Sequence, residues 1–200
     1  MRSSPARTGA VALVLLLGVA GCRTLPPAPV ASTPWDIRRP ALQAQEHFAV
    51  KGRVAVATGS TGFNANLRWS QAADDAHLTI EGPLGIGAVQ VNATGTALEV
   101  INARGEHIGD EPARAELRTR LGFDVPIGSL RYWILGVPRP GSEAQETLDV
   151  AQQRLSDLDQ DGWHVSYGGY TQVGGQALPA RLTLERESVR VRLVVDDWQL

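Results

Sequence analysis

Few residues in this chain could do chemistry, and their spacing argues against most of it. The run DLDQDG sets Asp157, Asp159 and Asp161 at alternate positions before Gly162, as in the first half of a calcium loop. Its twelfth position is Gly168, where a bidentate glutamate belongs, and Trp163, Val165 and Tyr167 continue as a strand. An Asp161-Gly162 hairpin turn is the better account. Gly82, Gly85 and Gly87 in GPLGIGAVQV follow the order G-x-x-G-x-G, and an alternating strand stands where a helix N-terminus would have to receive phosphate. Lys51, the only lysine, lies in a strand pattern, so a phosphate-loop lysine is lacking too. There is no G-x-S-x-G elbow, and His47, His77, His107 and His164 are scattered without paired metal-ligand spacing. Glu81 and Glu99 are candidate acids only by type, and the polar faces of half-buried strands account for them. Neither an enzyme nor a bound metal or cofactor is expected.

The one cysteine, Cys22, has a clear context. Arg2 and Arg7 precede an apolar run of 11 residues, Ala10 to Ala20, and the small residues Ala20 and Gly21 lead into the cysteine. The run is too short for a spanning helix, which needs about 18 or more apolar residues, and fits a secretory signal over 1–21. VAGC, Val19 to Cys22, resembles the bacterial lipobox, which implies cleavage before Cys22 and lipidation of its thiol. Arg23 is not the aspartate linked with inner-membrane retention, so this resemblance favours the outer membrane. From Cys22 to Pro40 come five of the chain's 12 prolines and no apolar period. This stretch reads as an extended tether over 22–40, able to reach roughly 55 Å at about 3.1 Å per residue.

Residues 41–200 remain as one domain to position whatever site exists. The chain has 43% hydrophobic and 20% charged residues and a formal net charge of −2. That composition supports a packed core and supplies no basic field for nucleic acid. A short amphipathic helix from residue 41 is expected to lead into strands. Phe48, Val50, Val54 and Val56 alternate with Lys51 and Arg53, and Phe63, Ala65, Leu67 and Trp69 alternate with Asn64, Asn66 and Arg68. Leu78 and Ile80, Val89 and Val91, and Leu98 and Val100 continue the period, with turns short enough for antiparallel neighbours. Two helices interrupt: PARAELRTRLGF, with Gly122 as a left-handed cap, and Pro126 to Leu135, with Leu130, Trp133 and Ile134 on one side. Strands resume near Gln152 to Leu158, Trp163 to Tyr170, Ala180 to Glu187 and Val189 to Asp196. The expected fold is mainly β, one antiparallel, strongly curved sheet with short α-helices over its apolar concave face.

Two short helices are thin cover for so many strands, and a hydrophobic cavity would account for the shortfall; a filled core fits the same periodicity. The turn Gly82-Pro83-Leu84-Gly85-Ile86 adds an apolar residue, Leu84, at a place where polar residues are usual. Leu84 either reaches toward a membrane or folds back on the core.

The chain resembles the LolB family of outer-membrane lipoprotein receptors. The resemblance is carried by Glu81 to Ala93 (EGPLGIGAVQVNA), Pro126 to Pro138 (PIGSLRYWILGVP), Trp163 to Tyr170 (WHVSYGGY), Val194 to Leu200 (VVDDWQL) and the VAGC lipobox, all in the family's order. Gly82 stands where some members have asparagine. The resemblance implies an incomplete (open) antiparallel β-barrel with a hydrophobic cavity covered by short α-helices, in a monomeric protein on the periplasmic side of the outer membrane, anchored through lipidated Cys22. It would accept lipoproteins from a LolA-type carrier and insert them into the inner leaflet without nucleotide. On this reading Phe48, Val50, Phe63, Leu67, Trp69, Leu78, Ile80, Val89 and Val91 hold acyl chains, Leu130, Trp133 and Ile134 form a lid, and Leu84 perturbs the membrane. The alternatives are a lipoprotein binding another amphiphile, such as a glycolipid or lipopolysaccharide, and a non-catalytic envelope assembly protein.

Overall fold

Alternating apolar and polar residues can bury one face only if neighbouring strands share a register, and here eleven strands do so in one antiparallel sheet. The structure is a computed structural model describing residues 33–82 and 87–200; Cys22, Leu84 and the signal segment lie outside the described residues. The strands are β1 (His47–Thr58), β2 (Thr61–Ala72), β3 (Asp75–Glu81), β4 (Val89–Thr94), β5 (Ala97–Ile101), β6 (His107–Gly109), β7 (Ala144–Asp149), β8 (Arg154–Gln160), β9 (Trp163–Val173), β10 (Gln176–Arg186) and β11 (Val189–Gln199). Their order in the sheet is β6-β5-β4-β3-β2-β1-β11-β10-β9-β8-β7. The first and last strands therefore meet in the middle, and each half runs outward through hairpins to a free edge, β6 or β7. Among the described residues no pairing joins the two edges, so the sheet is not closed into a barrel.

Among the described residues three short helices accompany the sheet: α1 (Trp35–Gln43), α2 (Asp110–Leu121) and α3 (Ile127–Ile134). None of the described helices is long and apolar enough to cross a membrane. α2 ends where its sequence indicates, with Gly122 left-handed at φ 81° and its N–H donated to the Arg118 carbonyl at 2.8 Å. α1 begins at Trp35, inside the stretch expected to be extended, and contains Pro40, which removes one helical hydrogen bond. Tertiary contacts outweigh that loss. Leu42 is buried, the Trp35 indole donates to Glu146 at 2.9 Å, and Arg39 pairs with the same carboxylate at 2.7 Å. β6 and β7, which the sequence pattern does not announce, are short edge strands with a partner on one side only and no sustained apolar alternation.

The register carries a bulge between Lys51 and Gly52 of β1 against β11. A Cβ on Gly52 would stand 2.2 Å from the Val194 carbonyl oxygen, so only glycine lets the two central strands approach. Buried apolar residues form two clusters. The larger spans β1, β2 and β8–β11 with α3, and the smaller lies between α2 and β3–β5.

Candidate functional site

Cross-strand pairing assembles apolar rows on the helix-covered face. One row runs Val165, Leu184, Val191, Val56 and Phe63 across β9, β10, β11, β1 and β2; the next runs Leu182, Leu193, Val54 and Ala65. Leu67 pairs with Ile80, and Trp69 with Leu78, carrying the surface onto β3. These rows meet around a cavity of about 120 Å³, with Trp163 of β9 on one side and Leu78 and Ile80 of β3 on the other. β9 and β3 are five strand spacings apart in the sheet, about 24 Å if it were flat, so sharing so small a hollow requires the sheet to curl strongly. The roof is the end of α2 and the segment after it: Leu121, Phe123, Val125 and Pro126, then Leu130 and Ile134 of α3. Every lining residue is apolar. Phe63, on the rim, is 38% exposed although large and hydrophobic.

Polar contacts hold the roof from its outer side. Ser129 of α3 donates its hydroxyl to Asp161 at 2.6 Å, and Arg139 donates to both oxygens of the same carboxylate at 3.2 and 3.1 Å. Asp161 and Gly162, both at positive φ (54° and 74°), form the β8–β9 hairpin turn; this carboxylate of the DLDQDG run serves a side-chain cluster. Burial pushes the Asp161 carboxyl up, but hydrogen bonds from Arg139, Ser129 and Ser142 outweigh it and hold the group below its ordinary range. Tyr167 donates its hydroxyl to the Trp133 carbonyl at 3.1 Å, and burial raises its pKa well above that of free tyrosine. Thr58, at the end of β1, donates to the Leu121 carbonyl at 3.0 Å and pins the end of α2.

Of the residues expected to face acyl chains, Phe63, Leu67, Trp69, Leu78 and Ile80 line the cavity, joined by Leu130 and Ile134 from the expected lid. Phe48 and Val50 lie one step further along β1, buried, with the Phe48 ring against Trp69 and Trp198. Val91 and Val89 belong to the cluster under α2. Trp133 is fully buried and donates its indole N–H to Gln160 at 2.9 Å, so it fastens α3 to β8 and does not line the hollow. Cys22 and Leu84 lie outside the described residues. The expected set omits the far wall (Trp163, Leu182, Leu184, Val191, Leu193), Val54 and Val56 of β1, and the Leu121 to Pro126 part of the roof. Alternation marks Leu182 to Leu193 as strand residues, but only the β1–β11 pairing brings them opposite β2, and periodicity carries no sign of that pairing.

The family model described as "Outer membrane lipoprotein LolB" matches residues 46–198. A protein named outer-membrane lipoprotein LolB from Nitrosococcus oceani is 34% identical over 193 residues, covering 95% of this chain and 96% of that protein. One from Pseudomonas putida is 36% identical over 167 residues, covering 82% of this chain and 80% of its own length. Among solved structures, a LolA superfamily protein from Nitrosomonas europaea superposes with a TM-score of 0.57 at 13% identity, over 84% of this chain and 94% of that one. A DUF1329 family protein from Desulfovibrio piger superposes with a TM-score of 0.54 at 8% identity, over 82% and 90%. These two share the fold. With a family match across the whole sheet and relatives above 30% identity over most of its length, this chain belongs to the LolB family of outer-membrane lipoproteins.

Proposed function

We propose that this protein receives lipoproteins from a soluble LolA-type periplasmic carrier and places them in the inner leaflet of the outer membrane, without catalysis. The observation that carries the reading is the wholly apolar hollow under a short roof. Each methylene is worth about 0.8 kcal/mol out of water, so acyl chains pass between apolar enclosures and do not cross solvent exposed. A hand-over from cavity to cavity, ending in the bilayer, then runs down a gradient of affinity and needs no nucleotide. At about 120 Å³ the hollow is well below the ~300–1,000 Å³ of a typical ligand pocket, so cargo must lift the roof to enter. Leu130 and Ile134 meet the acyl chains, and the Phe123 to Leu130 segment swings about Trp133. Cys22 carries the lipid anchor at the outer membrane and leaves the domain facing the periplasm as a monomer. Leu84 perturbs the leaflet that receives the cargo.

A transfer assay tests this reading. Carrier-bound lipoprotein is mixed with the segment from Ser32 to Leu200, and pull-down asks whether cargo changes hands without nucleotide. Transfer is expected; a folded segment that takes nothing from an active carrier would sink the reading. Leu84→Glu is expected to keep acceptance and lose insertion into vesicles, and normal insertion would remove Leu84 from the mechanism.

A further inference from the structure

The helix-covered face does not stop at the apolar cavity. Inward-facing residues of β2 run Leu67, Trp69, Gln71, paired with Ile80, Leu78 and Ala76 of β3. The first two pairs line the cavity, and the third floors a separate cleft of about 210 Å³, one row on and about 7 Å along the strands. α3 is the partition between them: Leu130 faces the cavity and Arg131, next in the chain, faces the cleft, while Val125 borders both.

Chemically the two hollows differ. The cleft holds two guanidinium groups, Arg131 of α3 and Arg114 of α2, and one carboxylate, Asp74. Arg131 donates to the Ala73 carbonyl at 2.8 Å, and Arg114 to the Thr96 carbonyl at 2.6 Å. Those bonds tie the helices to two strand turns but use few of the five donors each group carries. The Arg131 side chain is only 13% exposed, and its Nε is buried with no hydrogen-bond partner. Its one ionic neighbour among the described residues, Asp74, stands 3.4 Å away with a side chain 83% exposed. Ile127 and Gly128, the first residues of α3, border the same space and bring the positive end of the helix to it. A mostly buried guanidinium that has one backbone carbonyl, the Tyr132 ring 5.3 Å away and a solvated carboxylate about it, with Nε still free of a partner, is a place for an anion, and planar guanidinium donors match phosphate oxygens.

We propose that this cleft is a headgroup site for an anionic amphiphile, a phosphate-bearing lipid whose phosphate is held by Arg131 and Arg114 in place of Asp74 and whose acyl chain, once α3 lifts, lies along the Trp69–Leu78 row into the apolar cavity. The inference rests on the acyl-chain reading above and extends its ligand class to phospholipids. A lipid seated this way occupies the hollow between rounds of transfer and is displaced by incoming cargo.

The test uses the whole chain carrying Cys22→Ala and follows the change in its tryptophan fluorescence, since two of the five tryptophans, Trp69 and Trp163, line the cavity. Three probes are titrated below their micellar range: a lysophosphatidic acid, the monoacylglycerol of the same acyl chain, and inorganic phosphate. The lysophosphatidic acid is expected to bind about tenfold or more tighter than the monoacylglycerol, as charge-assisted bonds to two arginines require. Arg114→Gln with Arg131→Gln should bring the two lipids level while leaving the monoacylglycerol affinity unchanged. Asp74→Asn, an exposed change with little bearing on folding, should tighten the lysophosphatidic acid a few-fold and leave the monoacylglycerol alone. Equal affinity for the two lipids, or a preference that none of these substitutions moves, would overturn the headgroup site alone. Inorganic phosphate binding as tightly as the lipid would make the cleft a free-anion site and overturn the lipid assignment. Failure of the monoacylglycerol to bind would instead strike the acyl-chain reading, and this proposal with it.

Discussion

α2 and α3 lie over the same face of the sheet and are joined by only five residues, yet they meet it differently. On the buried side of α2 the contact is close: Ala113 and Val100 are completely buried and pack with Leu117, Leu98, Val91 and Ala93, while the polar cleft opens beside Arg114. A single methyl at Ala113 lets this part of the helix lie close on the strands. Beneath α3 the residues are larger, Leu130 and Ile134 above and Leu67, Trp69, Leu78 and Leu182 below, and they enclose a hollow. Apolar composition is common to both regions. The difference lies in helix length and anchoring, since α3 has two turns to cover what six strands bring together.

The sharpest way to break this contrast is at the anchor of α3. Trp133 is fully buried and its indole N–H is bonded to Gln160, itself 3% exposed. Trp133→Ala is expected to cost about 3–5 kcal/mol by urea unfolding, because a large void opens and a buried amide oxygen loses a donor. A cost below about 1 kcal/mol would mean that α3 is loosely held along its whole length, without a pivot.

Smaller effects come from adding volume on each side. Ala113→Leu has no room to occupy and should destabilise by about 1–3 kcal/mol. Val54→Phe points into the hollow and should change stability by less than about 1 kcal/mol while abolishing binding of an acyl probe. The pair is read by thermal unfolding together with probe fluorescence. Equal costs at both positions would show that the hollow is not space available to a side chain.

The two regions also differ in how much of them is legible in the sequence. The α2 unit is local: its helix period, the Gly122 cap and the β4–β5 hairpin all fall within about thirty residues, where short-range pattern applies. The cavity is half local. Leu67, Trp69, Leu78 and Ile80 come from one hairpin and share a face by period alone. Leu184 and Val191 reach Val56 only because β11 pairs with β1, more than 130 residues away, and alternation is silent about partners at that range. Phe48 and Val50 have the same period as Val54 and Val56, but the Lys51–Gly52 bulge and the sheet's curl decide which stretch of β1 meets the hollow. The expected helix from residue 41 overlaps only the end of α1, and its first turns are hidden for the opposite reason: Pro40 argues locally against a helix that distant partners, Glu146 among them, hold in place.

The smallest expected effect concerns the carboxylate that holds α3 from outside. Asp161 has a lower pKa folded than unfolded, where about 3.9 is usual, so it favours the folded state above that value and the benefit is lost as pH falls through the folded pKa. Its partner Arg139 is 37% exposed, and solvent screening limits the net contribution to about 1 kcal/mol. Asp161→Asn should therefore lower stability by about that much at neutral pH and flatten the acid limb of the stability curve below about pH 4. Because Asp161 touches Ser129 and Arg139 and not the cavity wall, acyl-probe affinity should hold or rise slightly as the roof opens more readily. An unchanged acid limb would assign the acid sensitivity of the fold to other carboxylates. Weaker probe binding would show that this contact shapes the hollow, when its expected part is only to restrain the helix above it.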